Sequence, residues 1–412
     1  MMYLPLSYLQ KTAVTWLALA PVVYVMTLMW WIPDGVKYAP GVVLVSLLVL
    51  GVGRSLCPEI ARDRDLSPLR SFINLLWLYI AYSAVIYFVH GGSWRELRAF
   101  LCVALYLQFT RGLILSESWR HGLLTLSALT LTALAFYEYF EHGGRVGGNI
   151  NPIPFATVVG VLFLALYSLA LFADKAIKFR MLSVALVIAL LAALMMTQTR
   201  GVLVPALGLV IVLLFLASLK QSGVRFSQAS VALLTTLLIA GLGLGILNSD
   251  RMAQTIYEVE AVADGNFSTS IGVRLKLWAS AIPLIADAPI IGHGEHYREA
   301  LEVLYEQGEL SSGLYHFNAL HFHNQFLDTW VKKGAVGLCL LVALIVVAIR
   351  AFWSSGVELW ARIAGVSILI LLIASALTDV PLAHAPVIFY VGFMLFILAA
   401  EKPKTTPTNK QD

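Results

Sequence analysis

The residues best suited to chemistry in this chain lie in a polar stretch that leads into an apolar helix. The run 321–334 reads HFHNQFLDTWVKKG, and its second histidine, His323, comes just before a helical apolar pattern that begins at Phe326. The positive end of a helix dipole favours a neutral imidazole, which is the form that accepts a proton. His323 is therefore a candidate base, and His316 and His321 compete with it for that role.

Two arginines could supply positive charge at the same surface. Arg200 lies between two hydrophobic runs, with almost no loop to carry it into water. An arginine at the bilayer centre costs about 2.5–3.5 kcal/mol on insertion scales, so a partner anion is expected. Arg274 starts an R-x-x-x-W element and shares a helical face with Trp278. The alternative for both arginines is a structural role, such as a lipid-headgroup contact or, for Arg274, cation–π stacking.

Guanidinium groups suit the oxygens of phosphate and pyrophosphate, so the two arginines and the histidine together indicate a reaction class. A lipid-linked sugar diphosphate would match a membrane surface. The arginines would stabilise the charge that develops on the leaving pyrophosphate, while His323 would take the proton from an incoming sugar hydroxyl. The carboxylates in the same region are alternative bases: Glu258, Glu260, Asp264, Glu295 and Asp328.

Two glycine-rich segments are weaker candidates. The loop 143–152 reads GGRVGGNINP, so its backbone N–H groups could approach a ligand closely, although a tight interhelical turn explains the composition equally well. Gly292-His293-Gly294 forms a G-x-G pattern, and most such patterns are only turns.

The composition indicates that a membrane surrounds these residues. The chain is 59% hydrophobic and 13% charged, with a mean hydropathy of +0.82. Soluble domains are about 45–50% apolar and about 25% charged. We expect an all-α polytopic membrane protein with about twelve spans, at residues 13–33, 38–53, 71–89, 97–115, 121–139, 153–172, 180–199, 201–219, 228–247, 333–352, 359–379 and 383–400. The first run is interpreted as a retained span, because it lacks a small-residue cleavage site.

Lysine and arginine accumulate in alternate loops, which predicts that both termini are cytoplasmic and that one large helical segment faces outward. The predicted organisation is nine spans in 1–247, a periplasmic helical segment at 248–326, three spans in 327–400 and a disordered cytoplasmic tail at 401–412. The net charge of +4 is explained by this topology and gives no reason to expect a nucleic-acid partner.

Bound metals and cofactors are not expected from the sequence. The three cysteines are too dispersed for a thiolate metal site, and none lies in the outward segment, so no disulfide is predicted there. The chain has no phosphate-binding loop of the Walker type, so ATP-driven chemistry has no support. The free energy for a reaction would have to come with the substrate.

The order of the motifs resembles the O-antigen ligase and polymerase superfamily over nearly the whole chain. The motifs are T-R-G at 199–201, R-x-x-x-W at 274–278, G-H-G at 292–294 and H-N-x9-G-x-x-G at 323–337. The last spacing is similar to that of the O-antigen ligases in particular. The loop 143–152 resembles the family's G-x-x-x-N-P-N region but departs from it at 149–154, which makes Arg145 and Asn151 weaker assignments.

The resemblance implies a metal- and ATP-independent glycosyltransferase. It would move O-antigen from undecaprenyl diphosphate to an outer-core sugar of lipid A-core, at the periplasmic face of the bacterial inner membrane. Arg200 and Arg274 would hold the diphosphate, and His323 would activate the acceptor hydroxyl. The residues expected to contact substrate are Arg200, Arg274, Arg145, Asn151, Asn324, His321, Gly292 and Gly294.

Three other functions compete with the ligase. An O-antigen polymerase would use the same donor, and the spacing after His323 and the single large outward segment favour the ligase over it. A protein O-oligosaccharyltransferase is disfavoured, because an additional C-terminal periplasmic region is expected in that subgroup. A transporter of lipid-linked oligosaccharide is the most distant alternative, since transporters place their sites near the bilayer midplane.

Overall fold

A computed structural model describes residues 6–56, 67–110, 115–173, 177–219, 250–310, 312–316, 320–353 and 356–399. The regular elements in these ranges are helices, which confirms the all-α prediction for them. The α-helices are α1 Leu6–Met26, α2 Ala39–Leu56, α3 Ser67–His90, α4 Trp94–Phe109, α5 Glu117–His142, α6 Pro152–Phe172, α7 Ile177–Met196, α8 Arg200–Leu219, α9 Asp250–Ala263, α10 Ser270–Asp287, α11 Tyr297–Glu306, α12 Ser312–His316, α13 Gln325–Trp353, α14 Leu359–Ala376 and α15 Ala385–Leu398.

Eight helices in the described ranges are long and apolar enough to cross a membrane, namely α2, α3, α5 to α8, α13 and α14. Two shorter apolar helices lie at Ala13–Met26 and Ala385–Leu398. The outer faces of several of these helices carry large exposed apolar side chains, such as Leu48 on α2 and Phe215 on α8. A surface of this kind is stable in lipid and not in water. The chain is therefore a polytopic membrane protein, as its composition predicts.

The predicted total of about twelve spans stays a prediction. The span predicted at 97–115 overlaps α4, whose 16 residues are fewer than the roughly 20 that cross a bilayer. The ninth predicted span, 228–247, and the predicted tail, 401–412, lie outside the described residues.

Two helices form the centre of the bundle. Nearly every side chain of α6 is buried, and every residue of α15 is buried. Helix α6 packs on α5, α7, α8, α14 and α15. A side chain added at Gly160 of α6 would meet Leu371 of α14 and Val202 of α8 at 3.0 Å, so these three helices approach one another closely. Small residues at such contacts are typical of membrane helix packing.

The loops that contain the sequence motifs meet at one end of the bundle, which we call the site end. There, the Val146 N–H donates to the Met196 carbonyl at 3.1 Å, and the Gln325 N–H donates to the Asp379 carbonyl at 3.0 Å. Helices α9 to α12 pack at the same end, where α10 contacts α13. The packing of the helices therefore brings loops that are far apart in sequence to one surface.

Helix α13 is broken at Gly334, and the segment 289–293 docks into the break. Gly334 adopts φ 62° and ψ −173°, which are not helical angles. The Ala335 N–H donates to the Pro289 carbonyl at 2.8 Å, and the His293 N–H donates to the Val331 carbonyl at 2.8 Å. Gly292 faces the break, because a Cβ there would lie 2.5 Å from the backbone nitrogen of Gly334. Gly292 of the G-H-G motif and Gly334 of the H-N-x9-G-x-x-G motif thus lie in one backbone contact.

Substituting Gly334 with alanine is expected to destabilise the protein. A side chain at positive φ costs about 1–3 kcal/mol, and the new Cβ would lie 2.1 Å from the Ile290 carbonyl oxygen. We expect the variant to unfold at a lower temperature than the wild type in detergent. Gly208→Ala in α8 is the matched control, since a Cβ there meets nothing within 4 Å. Equal unfolding temperatures for the two variants would contradict the docking of 289–293.

Candidate active site

A polar cavity of about 330 Å³ opens at the site end, between α8, α9, α10 and the segment 378–381. Three arginines line it, Arg145, Arg200 and Arg274, and we call it the arginine cavity. Hydroxyl groups and two acids complete its wall: Thr157, Thr199, Thr255, Ser270, Thr378, Glu258 and Asp379. The structure therefore brings together the two arginines that the sequence singled out, together with the weaker candidate Arg145.

Arg200 is the first residue of α8, and its guanidinium group reaches α9. Nη1 donates to the hydroxyl of Thr255, and Nη2 lies 3.5 Å from Oε1 of Glu258. Glu258 is only 3% exposed. The sequence predicts a partner anion for Arg200, and Glu258 supplies one within the protein. This ion pair also makes Glu258 a poor candidate for the alternative base.

Arg274 and Arg145 approach the cavity from other elements. Arg274 lies near the start of α10, and its Nη1 donates to the Ser270 hydroxyl at 3.1 Å. Its Nε is buried and has no hydrogen-bond acceptor among the described residues. Arg145 donates to the Thr197 carbonyl at 2.9 Å and to the Thr199 hydroxyl at 3.1 Å. The planar geometry of guanidinium groups suits phosphate oxygens, so these arginines are candidates for binding a phosphate group.

His323 lies beside an acid that the sequence analysis did not single out. Its Nδ1 is 3.6 Å from Oδ1 of Asp379, and its side chain is 22% exposed. Burial alone would raise the pKa of Asp379, but the His323 ring and the Val380 N–H outweigh burial and lower this pKa. Asp379 is therefore a carboxylate that can orient the imidazole and stabilise its protonated form. An acid that directly follows an apolar span is itself a signal of function, and this signal could have identified Asp379.

Asn324 holds the backbone that presents His323. Its Oδ1 accepts from the N–H groups of Phe326 and Leu327 at 3.0 and 3.2 Å, so it caps the start of α13. Its Nδ2 donates to the Leu377 carbonyl at 3.2 Å. His323 adopts a left-handed backbone with φ 49°. The structure thus gives Asn324 a positioning role, and its contact with substrate stays a prediction.

The glycine-rich loop is built around Glu138 of α5. The carboxylate accepts from the backbone N–H groups of Gly147, Gly148 and Asn149, each at 2.9 Å. These groups were candidates for contacting a ligand, and they are occupied by the protein itself. The Asn151 side chain accepts from Ile153 N–H at 3.0 Å and caps α6. Arg145 is the residue of this loop that faces the arginine cavity.

A second cavity, of about 430 Å³, lies on the other side of the histidines. His321 and His384 line it, whereas Asp379 lines the arginine cavity. The His321 and His323 ring centroids are 4.4 Å apart. His321, His323, Asp379 and His384 therefore form a single layer between the two cavities, which we call the histidine partition. Gly294 also lines the second cavity, although a Cβ there would meet the backbone oxygens of His90 and Gly91.

Within the described residues, the partition also contains the donors for a metal ion. His321, Asp379 and His384 each offer one ligand atom, and these atoms lie within 4.8 Å of one another. Imidazole and carboxylate ligands suit zinc and related divalent ions. A metal bound here would occupy the carboxylate that faces His323. The sequence gives no local sign of these donors, because His321, Asp379 and His384 are brought together only by the fold.

Acid is expected to destabilise the protein through His321. Burial, followed by the neighbouring His323, lowers the pKa of His321 from 6.5 to about 4. The unfolded chain therefore binds a proton at this residue where the folded protein does not, and stability is lost as the pH falls from about 6.5 toward 4. Between pH 7 and pH 4.5, the unfolding temperature should fall less in His321→Gln than in the wild type. An equal fall in the two proteins would contradict a contribution from His321.

Comparison with known proteins links these residues to one family. Residues 184–342 match the model of the O-antigen ligase family. An uncharacterized protein of Haemophilus influenzae is 35% identical over 95 residues, which cover 23% of each chain. The O-antigen ligase of Escherichia coli is 22% identical over 151 residues, which cover 36% of each chain. The chain thus aligns with well under two thirds of either relative's length.

The matched region contains the site described above. Arg200, Arg274 and His323 all lie within 184–342, whereas Arg145, Asp379 and His384 lie outside it and join the site through the fold. Residues 184–342 are therefore similar to the O-antigen ligase family, as the order of the motifs predicts.

Proposed function

We propose that the protein is a glycosyltransferase that moves a glycan from a lipid-linked diphosphate to a hydroxyl of an acceptor saccharide. The observation that supports this most directly is the convergence of Arg145, Arg200 and Arg274 on one cavity whose wall contains Asp379, with His323 beside it. Three guanidinium groups suit a diphosphate, and an imidazole beside a carboxylate suits proton transfer. The match of 184–342 to the O-antigen ligase family model supports the same class of reaction.

The proposed step is a displacement at the anomeric carbon of the donor sugar. The acceptor oxygen forms a bond to this carbon while its proton passes to His323. The bond between the anomeric carbon and the diphosphate oxygen breaks, and the diphosphate leaves with the electron pair. The arginines stabilise the charge on the leaving group, and Asp379 stabilises the imidazolium that forms. Cleavage of the bond between the donor sugar and its diphosphate provides the free energy, so the step needs no ATP.

The motif order and the similarity to the Escherichia coli protein described as an O-antigen ligase support a proposal for the specific substrates. We propose that the donor is undecaprenyl-diphosphate-linked O-antigen and that the acceptor is lipid A-core. The reaction would then take place at the periplasmic face of the inner membrane, with both termini in the cytoplasm. The polymerase is the second candidate, because it would use the same donor and the same arginines.

A reconstituted assay separates these functions. The purified protein is incubated in nanodiscs with the undecaprenyl-diphosphate-linked glycan and lipid A-core, with chelator present. Glycan-capped lipid A-core is the expected product. Lengthening of the donor glycan without capping would show a polymerase. Flux of the donor across vesicle membranes without any covalent product would overturn the proposal in favour of transport.

A further inference from the structure

We propose that the second cavity binds the acceptor saccharide and that its two exposed arginines recognise an anionic group on it. This inference rests on the proposed function, since it assigns one of the two substrates of that reaction to a place in the fold. The cavity opens at the site end and is bounded by the start of α4, the 3-10 turn Gly294–His296, the start of α11 and the segment 383–386.

The second cavity lies next to the arginine cavity. His321 faces the second cavity and Asp379 faces the arginine cavity, yet their ligand atoms lie within 4.8 Å of each other. The segment 378–386 passes from one cavity to the other within nine residues. The two cavities therefore adjoin each other at the histidine partition, with Asp379 lining one and His321 and His384 lining the other. A substrate in each space would lie next to this partition.

A displacement at the anomeric carbon needs two neighbouring spaces for its two substrates. The acceptor oxygen must contact this carbon directly and approach it from the side opposite the leaving group. The arginine cavity accounts for the leaving diphosphate, so the rest of the acceptor saccharide fits the adjoining second cavity. His321 lines the second cavity, and an imidazole ring can pair with a sugar hydroxyl.

The charged side chains of the second cavity differ between its inner wall and its opening. Lys333 is paired with Glu96, and Lys332 lies 3.0 Å from Asp328, so the inner wall is neutralised by its own ion pairs. Arg95 and Arg298 are exposed at the opening. Arg298 is 3.7 Å from Glu295, and an exposed pair of this kind is weak and easily exchanged for another anion.

The wall has the composition of a saccharide site. Apart from the charged groups, it carries the hydroxyl groups of Ser83 and Ser93 and the ring of Tyr87. Hydroxyl, carboxylate and imidazole groups pair with sugar hydroxyls, while aromatic rings cover the apolar faces of sugars. The two arginines at the opening add affinity for a phosphate or carboxylate substituent. The acceptor class is therefore an oligosaccharide that carries an anionic group.

Charge reversal at the opening tests the assignment. We would prepare Arg95→Glu, Arg298→Glu and the double variant, with Lys37→Glu as a matched control. Lys37 is an exposed cation near the site end that lines neither cavity. Initial rates are measured while donor and acceptor concentrations are varied separately. The double variant should raise KM for lipid A-core about tenfold or more, as loss of charge-assisted hydrogen bonds predicts. KM for the donor should stay unchanged.

Binding measurements separate a failure of this proposal from a failure of the proposed function. Binding of lipid A-core and of undecaprenyl diphosphate is measured on the same proteins in nanodiscs, without turnover. Weaker binding of lipid A-core by the double variant alone supports the acceptor site, even if no transfer product forms. Unchanged binding and unchanged KM for lipid A-core would overturn it. A selective loss of undecaprenyl diphosphate binding would overturn it as well, because the second cavity would then hold the donor.

Discussion

Replacing His323 with alanine should lower the rate of glycan transfer by a factor of about 10²–10⁴, the usual contribution of a general base. The imidazole is the group beside Asp379, and its side chain is 22% exposed, so substrate can reach it. The loss should fall on kcat, because the proton is transferred in the reaction itself. Donor binding should change little, since the arginines lie on the other side of Asp379.

A second variant tests whether a loss of activity in His323→Ala is caused by misfolding. His323 adopts φ 49°, and asparagine tolerates the left-handed region better than alanine does. His323→Asn should therefore fold well and still lose transfer. His316→Ala is the control, since His316 bonds only locally to Ser312 in the described structure. Rates near that of the wild type in both His323 variants would move the base to another residue.

Replacing Arg274 with alanine should reduce kcat by about 10²–10³, the range seen when one donor to a developing negative charge is removed. Arg274 lines the arginine cavity, and its buried Nε has no acceptor among the described residues. A lysine at this position should restore the rate only in part, because it lacks the planar fork of the guanidinium group.

Lys276→Ala on the same helix is the matched control for this variant. The Lys276 ammonium group lies over the Phe267 ring and does not line the cavity. Transfer by this control should equal that of the wild type. If Arg274→Ala retained most of the wild-type rate, stabilisation of the leaving diphosphate would not depend on this arginine.

The sequence predicts the parts of the site that depend on local patterns. Arg200 can be found because a guanidinium group between two apolar runs is costly, and His323 because it precedes a helix. The membrane class follows from composition alone. These inferences do not depend on which helices are neighbours. They can therefore be made from the amino-acid sequence alone.

The remaining parts depend on contacts between distant residues. His323 and Asp379 are 56 positions apart in sequence, and the pairing of Arg200 with Glu258 also crosses between helices. The glycine-rich loop looked open to a ligand because Glu138, on the preceding helix, gives no local sign that it binds the loop. Likewise, Gly292 and Gly334 look like separate turn residues until the fold places them in contact.

The break in α13 has a consequence for how the reacting groups are held. Arg274 lies on α10 and His323 directly precedes α13, and the segment 289–293 that follows α10 is bonded into α13 on both sides of Gly334. His323, the proposed base, and Arg274, one of the proposed phosphate-binding groups, therefore belong to a single stiff frame. Such a frame keeps their separation constant when substrates enter and leave. The reorganisation that would otherwise accompany each turnover is then confined to the substrates and to elements outside that frame.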